Sequence, residues 1–357
     1  MSKAIHQLLA GFTGIDAISN EALELRDRFR SWGCRSEIFT DAAHIPPELL
    51  GDVRDARTLT TQCTGDDVVL LHFSVGSPVN EFFQGISARK AILYHNVTPP
   101  EFLAGVNPEL AEDLARGRAQ GRSLAGAAEV VMADSTFNAR ELEFMGYENV
   151  RILPLLLDFE RSDDPIDAEA AAAWDDGAVN VLFVGRCVPN KAIDDAVRAF
   201  ALFQKGFESH SRFIHVGSYA GARPYRSYLR AVAREQGAND VQLVGALTQP
   251  ELNAAYHTAH LFLCMSEHEG FCIPLLESMN WDVPVIAYAA GAVEETLDGA
   301  GILVREKNFG AIAGMMHRVV SDDAFRRAVL DTQRRRLARY RERDIGEELR
   351  GHLAPLL

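Results

Sequence analysis

Residues 261–277 read LFLCMSEHEGFCIPLLE. The apolar residues Leu261–Cys264 predict a short buried strand, and Pro274 is typical of the first turn of a helix, where a backbone N–H is not needed. The polar segment between them, which contains Glu269, then connects a strand to a helix. This stretch therefore predicts one strand–loop–helix unit of an α/β fold with a parallel sheet.

The same alternation of short apolar runs and helical patterns continues in both directions and predicts parallel sheets with helices on both faces. In the first half, the predicted strands are Ile5–Leu9, Arg35–Phe39, Val68–His72, Ala91–Tyr94, Glu129–Ala133 and Val150–Leu153. In the second half, they are Val179–Val184, Arg212–Val216, Val241–Val244, Leu261–Cys264, Val285–Ala287 and Ile302–Val304. The clearest helix extends from Ser19 to Trp32, with Ser19 or Asn20 as its N-cap and Gly33 as its stop.

One stretch, from Leu156 to Gly177, interrupts this alternation. It is rich in Asp and Ala, contains Pro165, and predicts a linker with a short helix. A chain of 357 residues also has about twice the usual domain length, so two doubly wound domains are expected. In such folds ligands bind outside the carboxyl ends of the strands, and two facing sheets would bring those ends to a shared cleft.

The composition and the termini argue against several classes of protein. The formal net charge of −14 disfavours nucleic acid as the main partner. The five cysteines, at positions 34, 63, 187, 264 and 272, have no zinc-binding spacing, and free thiols in a reducing compartment are the simplest interpretation. The N-terminus lacks the apolar stretch of a signal peptide and no apolar run is long enough to span a bilayer, so we expect a cytoplasmic protein.

Two glutamates mark the helix start in the opening stretch. Glu269 lies in the loop before the helix, and Glu277 lies about one turn into it. Backbone N–H groups at a helix N-terminus favour a phosphate or an electron-rich sugar oxygen, and carboxylates accept hydrogen bonds from hydroxyl groups. One glutamate would hold a sugar and the other a ribose. The alternative is a capped helix with two surface glutamates.

A second segment, Val184–Lys191, also follows a predicted strand and opens a helix. Arg186 and Lys191 are placed to clamp a diphosphate, because Arg offers a fork of donors and Lys a movable charge. Such a clamp would also stabilise a diphosphate leaving group. A strand–turn–helix junction with two exposed cations remains the alternative.

Weaker signals lie in the first half. Gly11 and Gly14 follow the first strand, but the spacing is not the GxGxxG of nicotinamide-binding proteins. His95 and His72 each end a predicted strand and can bind a sugar hydroxyl, although a lone histidine is more often structural. Asp134–Thr136 predicts an N-cap, so we assign it a structural role first.

Together, the Gly-Arg-(four residues)-Lys segment at 185–191 and the Glu-(seven residues)-Glu segment at 269–277 resemble glycosyltransferase family 4, whose fold, GT-B, has two facing Rossmann-like domains with a cleft between them. The resemblance covers nearly the whole chain and is densest from Val179 to Val304. It implies an acceptor-side domain at 1–156, a linker at 157–177, a nucleotide-sugar domain at 178–335, and a C-terminal helix at 336–357 that packs back on the first domain.

The resemblance also implies roles for single positions. Arg186 and Lys191 are similar to the clamp on the donor diphosphate, and Glu269 to the residue that contacts the transferred sugar. Glu277 is similar to the residue that holds the ribose, and His95 to a histidine near the donor sugar and the reaction centre. The implied catalytic residues are therefore His95, Glu269, Arg186 and Lys191. Further implied donor contacts are Gly14 at the diphosphate, the backbone of Gly270, Phe271, Cys272 and Ile273, and Leu243–Leu247 around the base.

Three positions depart from the family pattern. Many relatives have two neighbouring glycines in the first loop, whereas Phe12 and Thr13 separate Gly11 from Gly14 here. Cys272 and Ala192 stand where glycine is common. None of these departures removes a charged group from the implied donor site.

By this resemblance, the protein is a retaining, metal-independent glycosyltransferase that needs no cofactor. It would use front-face displacement, in which the leaving phosphate helps to remove the acceptor proton. The implied donor is GDP-mannose or a UDP-sugar. The implied acceptor is a saccharide, a lipid-linked saccharide or another glycoconjugate in the synthesis of a cell-surface polysaccharide or lipopolysaccharide.

Two alternatives from other classes stay open. A sugar-nucleotide epimerase of the same fold would need several acid–base groups in the cleft. A non-catalytic nucleotide-sugar-binding protein is disfavoured because Arg186, Lys191, Glu269 and Glu277 are all present.

Peripheral contact with the inner face of a membrane is a separate hypothesis. It would use the arginines at 116, 118 and 122 or those at 223, 226, 230 and 234, but a solvated or salt-bridged face is favoured.

Overall fold

A computed structural model describes residues 3–13, 16–42, 45, 49, 51–159, 162 and 164–357. The chain divides into two compact units. The first comprises residues 1–101, 109–158 and 344–357, and the second comprises residues 102–108 and 159–343.

Each unit contains one fully parallel sheet. In the first unit the described strands are β1 (Ile5–Leu9), β2 (Ile38–Thr40), β3 (Val53–Asp55), β4 (Val68–Phe73), β5 (Arg89–Tyr94), β6 (Val130–Ala133) and β7 (Arg151–Ile152). In the second they are β8 (Val179–Val184), β9 (Ser211–Val216), β10 (Val241–Gly245), β11 (Leu261–Cys264), β12 (Val285–Tyr288) and β13 (Ile302–Val304). The spatial orders are β3-β2-β1-β4-β5-β6-β7 and β10-β9-β8-β11-β12-β13. These are the two Rossmann-like domains that the sequence predicted.

Helices connect the strands, as parallel pairing requires. In the described residues they are α1 (Ala17–Ser31), α2 (Pro78–Gly85), α3 (Pro108–Ser123), α4 (Thr136–Phe144), α5 (Ala168–Trp174), α6 (Ile193–Gly206), α7 (Arg223–Gln236), α8 (Gln249–His257), α9 (Ile273–Asn280), α10 (Val293–Leu297), α11 (Phe309–Ser321), α12 (Asp323–Arg341) and α13 (Ile345–Leu353). The central strands β1, β4 and β11 are buried at every residue, as expected where helices cover both faces of a sheet.

Four strand predictions match the structure at both ends, three of them at the sheet centres and one at the edge strand β13. Strands β1, β8, β11 and β13 have the predicted bounds. The prediction of Arg35–Phe39 was shifted, because the strand is Ile38–Thr40 and Arg35 forms only an isolated bridge with Ala4. Strand β3 was missed because it has three residues, of which only Val53 is buried.

The predicted N-cap of the first helix, Ser19 or Asn20, is wrong. The Asp16 carboxylate caps α1 by accepting the backbone N–H groups of Ile18 at 3.0 Å and Ser19 at 2.9 Å. The Ser19 hydroxyl instead donates to the same carboxylate at 2.6 Å. Aspartate and serine cap helices about equally well, so composition alone does not choose between them.

The predicted linker, 157–177, and the predicted C-terminal segment, 336–357, each have residues in both units. Helix α5 in the predicted linker belongs to the second unit, where the Trp174 indole N–H donates to Gln242 Oε1 at 3.0 Å. In the predicted C-terminal segment, α12 belongs to the second unit and α13 to the first. Beside α13, His352 Nε2 hydrogen-bonds the carbonyl of Ile152 on β7 at 3.2 Å. Among the described helices, none combines the length and apolar character required to cross a bilayer.

Replacing the α1 cap tests the corrected helix start. We expect Asp16→Ala to lower the free energy of unfolding by about 1 kcal/mol, because two N–H groups lose their acceptor. Urea titration followed by circular dichroism measures the change. The matched control is Asp27→Ala on the same helix, whose side chain is 71% exposed and which should change stability far less. Equal effects of the two substitutions would contradict the assignment.

Candidate active site

The second sheet reverses its strand order between β8 and β11. The chain leaves these neighbouring strands toward opposite sides, and ligands of doubly wound folds bind at such a point. Arg186 and Lys191 lie in the loop after β8, and Glu269 lies in the loop after β11. The fold therefore brings together residues that are about eighty positions apart in the sequence.

Lys191 and Glu269 form an ion pair at this point. Lys191 Nζ lies 2.7 Å from both Glu269 Oε1 and Oε2, and Glu269 is only 5% exposed. Burial alone would lower the pKa of Lys191, but the Glu269 carboxylate outweighs burial and raises it. Lys191 is therefore a fixed cation at neutral pH.

Neighbouring backbone groups hold the two loops together. The backbone carbonyl of Asn190 accepts the backbone N–H of Glu267 at 2.8 Å. The side-chain amide of Asn190 donates to the His268 carbonyl at 3.3 Å. Asn190 is 5% exposed, so these bonds are shielded from water. Sequence reasoning missed Asn190 because its partners are distant in the chain.

Gly291 lets a third loop approach Glu269. Its φ is +57°, and a Cβ there would lie 2.2 Å from the Glu269 carbonyl oxygen. The adjacent N–H of Ala292 donates to that oxygen at 2.9 Å. Only glycine fits both the backbone conformation and the close approach.

A buried histidine hydrogen-bonds the turn that carries Arg186. His215 Nε2 lies 2.9 Å from the Gly185 carbonyl oxygen. Burial lowers the pKa of His215 to about 4, so it is neutral and donates through Nε2. Arg186 itself is exposed. His215 was not singled out in the sequence because nothing near it in the chain marks it.

Helix α9 begins beside the ion pair, with Pro274 in its first turn as predicted. No side chain caps its N-terminus. Pro274 has no N–H and that of Leu275 donates to the Cys272 carbonyl at 3.1 Å, so the other N–H groups at the helix start are the candidate donors to an anion. Farther along the helix, Glu277 Oε2 accepts the Tyr256 hydroxyl at 2.7 Å. Tyr256 thereby orients the second glutamate.

Both departures from glycine in this unit have left-handed backbones. Cys272, at the start of α9, has φ of +73°, and Ala192, at the start of α6, has φ of +42°. This conformation explains why glycine is common at both positions, because other residues adopt it only at a cost.

A second polar cluster forms at the strand ends of the first unit. His72 lies in β4, while His95 and Asp134 directly follow β5 and β6. These strands are neighbours, and pairing of Tyr94 with Ala133 brings the next residues, His95 and Asp134, side by side. Helix α1 contributes the fourth member, Glu21, which is 3% exposed.

A chain of hydrogen bonds fixes the protons of this cluster. Gln7 Nε2 donates to the Ala22 carbonyl at 2.8 Å, so Gln7 Oε1 accepts from His72 Nε2 at 2.9 Å. Burial and the charge of His95 keep the pKa of His72 well below its usual value, so its ring is neutral and its Nδ1 must accept. The donor to that atom is His95 Nε2, at 3.0 Å. We call Gln7, His72 and His95 the histidine relay.

His95 ends the histidine relay between two carboxyl groups, which favour its protonated form. Its Nδ1 lies 3.5 Å from Asp134 Oδ2 and its Nε2 lies 3.6 Å from Glu21 Oε2. Burial would lower the pKa of His95, but these two carboxylates raise it overall. Burial raises the pKa of Glu21 to about 7 and also raises that of Asp134. The two strand-end histidines that the sequence singled out, His72 and His95, are therefore partners in one cluster.

The remaining predicted residues fall into three groups. Ser135 is the N-cap of α4, as predicted, whereas the adjacent Asp134 also joins the buried cluster. Gly14 lies outside the described residues. Leu243–Leu247 spans the end of the edge strand β10, where Gly245 packs against Tyr219.

The arginines considered for membrane contact are partly engaged within the protein. Arg116 pairs with Asp113 at 2.8 Å, and Arg118 pairs with Glu141 at 2.6 Å. Arg226 stacks 3.9 Å from the centre of the Tyr219 ring. These contacts favour a salt-bridged face.

The amino-acid sequence around this site is similar to that of a known protein family. Residues 178–322, which contain the ion pair and both glutamates, match the family described as glycosyl transferases group 1. This segment is a glycosyltransferase group 1 domain. This match confirms the resemblance to glycosyltransferases that the sequence motifs predicted.

Three relatives illustrate the match. The chain is 32% identical to D-inositol 3-phosphate glycosyltransferase of Acidothermus cellulolyticus, over 56% of this chain and 49% of that protein. It is 26% identical to O-antigen chain mannosyltransferase B of Escherichia coli, over 45% of this chain and 41% of that protein. The aligned region thus spans less than half the length of either curated relative.

The third similarity is structural. Anabaena HepE in complex with UDP-glucose superposes with a TM-score of 0.73 and 15% identity, covering 98% of this chain and 99% of that chain. At this identity the likeness establishes the fold, and the predicted GT-B class is confirmed.

Removing one partner of the ion pair in the glycosyltransferase domain should be costly. We expect Lys191→Met to lower the free energy of unfolding by about 3 kcal/mol, because Glu269 would stay buried without a cation. Adding Glu269→Gln should restore part of the loss. Urea unfolding of the two single variants and the double variant measures the coupling. Additive effects would show that the pair contributes no coupling energy.

The first-unit cluster predicts a pH dependence of stability. Glu21 has a higher pKa when folded than when unfolded, so its contribution is present below about pH 4.5 and is lost as the pH rises to about 7. The loss amounts to about 3 kcal/mol. We expect Glu21→Gln to flatten this decline and to gain stability relative to the wild type at pH 8.

Urea unfolding at pH 5 and pH 8 tests this dependence. The matched control is Asp27→Asn, an exposed carboxylate on the same helix, which should leave the decline unchanged. A wild-type decline that persists in Glu21→Gln would show that other groups cause it.

Proposed function

We propose that this protein is a retaining glycosyltransferase that transfers a sugar from a nucleoside diphosphate sugar. The observation that carries the proposal is the Lys191–Glu269 ion pair, with its buried carboxylate and partly exposed lysine, at the strand-order reversal and beside the N-terminus of α9. Cation, carboxylate and N–H donors then lie together where a diphosphate and a sugar need them.

Each part of the donor has a proposed partner. Arg186 and Lys191 bind the diphosphate and stabilise the charge that develops on it as it leaves. Glu269 accepts hydrogen bonds from hydroxyls of the transferred sugar, and Glu277, oriented by Tyr256, holds the ribose. The backbone N–H groups of residues 270–273 complete the proposed anion site, and Gly14 and Leu243–Leu247 are proposed to meet the diphosphate and the base.

The proposed reaction is a front-face displacement. The bond between the anomeric carbon and the donor phosphate breaks, and the acceptor oxygen bonds to that carbon from the same face. The acceptor proton passes to the leaving phosphate, so no protein base is required. With two cations and a helix N-terminus at the diphosphate, we propose that the reaction needs neither a metal ion nor a cofactor.

His95 is proposed to act near the reaction centre as a cation rather than as a base. The histidine relay and Asp134 occupy both of its ring nitrogens. An imidazolium fixed in this position can stabilise negative charge on the departing phosphate by electrostatic attraction.

We propose that the first unit binds the acceptor.

The similarities bear on the substrates. One structural neighbour was solved with UDP-glucose, and one relative is named a mannosyltransferase, which supports a UDP-sugar or GDP-mannose as the donor. The same relative is named for O-antigen chains, which supports a saccharide or lipid-linked acceptor in polysaccharide or lipopolysaccharide synthesis. We propose a cytoplasmic location, with the remaining arginines of α7 as candidates for contact with the inner face of a membrane.

The first-unit cluster also favours a second candidate, a sugar-nucleotide epimerase. Three carboxyl or imidazole groups, Glu21, His95 and Asp134, lie together and have raised pKa values, as acid–base catalysis requires. An epimerase would convert the donor without an acceptor.

A binding panel tests the donor site. We expect UDP or GDP, and their sugar conjugates, to raise the melting temperature without magnesium, since a ligand that binds only the folded state stabilises it. Arg186→Ala should abolish the shift, whereas Lys205→Ala, an exposed lysine on α6, should retain it. The absence of a shift with UDP, GDP and ADP conjugates would argue against the donor site.

An activity assay distinguishes the candidates. With the donor so identified and a set of saccharide acceptors, we expect transfer with retained anomeric configuration, unaffected by EDTA, and a loss of about 100-fold or more in Lys191→Ala, because the leaving group loses a charge contact. NMR of the product reports the configuration. Conversion of the donor into its epimer without an acceptor would establish the epimerase. Binding of the donor without either reaction would indicate a non-catalytic protein.

A further inference from the structure

A pair of thiols lies beneath the proposed donor site. Cys264 ends β11 and Cys272 precedes α9, and the two thiols are hydrogen-bonded to each other. Their sulfur atoms and a Glu269 carboxylate oxygen all lie within 4.8 Å of one another. Both cysteines are free, and neither thiol group has a role in the proposed reaction, in which Cys272 takes part only through its backbone.

The position of the pair connects it to the site. The eight residues after Cys264 run through Glu269 and end at Cys272, so a bond between the two sulfur atoms would close this loop into a ring. Cys264 belongs to a fully buried central strand and resists movement. Any shift that brings the sulfurs into bonding distance therefore falls on Cys272 and the loop.

The loop itself is held in one place by contacts on both sides. Glu267 is bonded to Asn190, and Glu269 is bonded to Lys191 and to the backbone of Ala292. Cys272 also has a left-handed backbone, with φ of +73°. Closing the ring would pull on residues whose present geometry matches the proposed donor contacts.

We propose that Cys264 and Cys272 form a reversible disulfide that switches off the donor site. The proposal rests on the proposed function for its consequence, but the bond itself does not depend on it. The reagent class is a small peroxide, since Cys264 is 0% and Cys272 8% exposed and a larger oxidant would not reach them.

The reaction balances with hydrogen peroxide. One thiolate attacks a peroxide oxygen, which gives a sulfenic acid and releases hydroxide that becomes water on protonation. The second thiol then displaces the sulfenic oxygen as a second water, which forms the disulfide. Two electrons pass from the thiols to the peroxide, and a dithiol reductant reverses the change. The hydrogen bond from Cys272 lowers the pKa of Cys264, which favours Cys264 as the first thiolate.

Peptide mapping of the full chain tests the bond directly. The protein is treated with hydrogen peroxide, its remaining thiols are alkylated, and it is digested without reductant. We expect a linked pair of peptides containing Cys264 and Cys272, which disappears after reduction. Alkylation of both cysteines after peroxide treatment, or linkage of other cysteines instead, would overturn the proposal.

Donor binding and transfer test the consequence. In the oxidised protein we expect kcat/KM for the donor to fall by about 10- to 100-fold, the loss typical of a displacement near 1 Å in a site, and to recover on reduction. Cys264→Ser should keep the activity of the reduced enzyme and lose its sensitivity to peroxide. Cys34→Ser and Cys63→Ser, the half-buried cysteines, are matched controls that should remain sensitive.

The outcomes separate the two proposals. A mapped disulfide that leaves the activity unchanged would overturn the switch, and sensitivity that persists in Cys264→Ser would do the same. If Cys264→Ser fails to fold, Cys264→Ala is assayed in its place. Failure of the proposed function would appear as absent transfer in the fully reduced protein, while the mapping result would still decide whether the bond forms.

Discussion

The proposed site of the second unit depends on one ion pair, between the buried Glu269 and the partly exposed Lys191. Lys191 and Glu269 come from loops that leave adjacent strands in opposite directions, and each would be unfavourable in its position without the other. The pair holds a positive charge and an acceptor at fixed positions before any ligand arrives. A site arranged in advance needs little reorganisation when charge develops on a leaving group.

Several residues around this pair position its loops by hydrogen bonds and close backbone contacts. Asn190 joins the two loops, Gly291 admits a third loop against Glu269, and His215 supports the turn before Arg186. In the first unit, Gln7 and His72 play a comparable part for His95 by fixing its proton on Nε2. In both units a parallel sheet supplies the position, and a buried hydrogen-bond partner supplies the orientation.

The sequence predicted the architecture and the charged residues because both leave local patterns. Buried strands such as Leu261–Cys264 are continuous apolar runs, and Arg186, Lys191 and Glu269 stand at fixed spacings after them. The partners of these residues leave no such pattern. Asn190, Gly291, Gln7 and Glu21 reach the sites only through strand order and loop packing, and Asp16 was missed because several neighbouring residues are good caps.

We propose above all that the second unit binds the nucleoside diphosphate of the donor at the Lys191–Glu269 pair. The most direct measurement is a crystal structure of the full chain with bound UDP or GDP, whichever nucleotide stabilises it. We predict the diphosphate against Arg186, Lys191 and the N-terminus of α9, with the ribose on Glu277. A nucleotide bound elsewhere, with the Lys191–Glu269 pair untouched, would contradict the account.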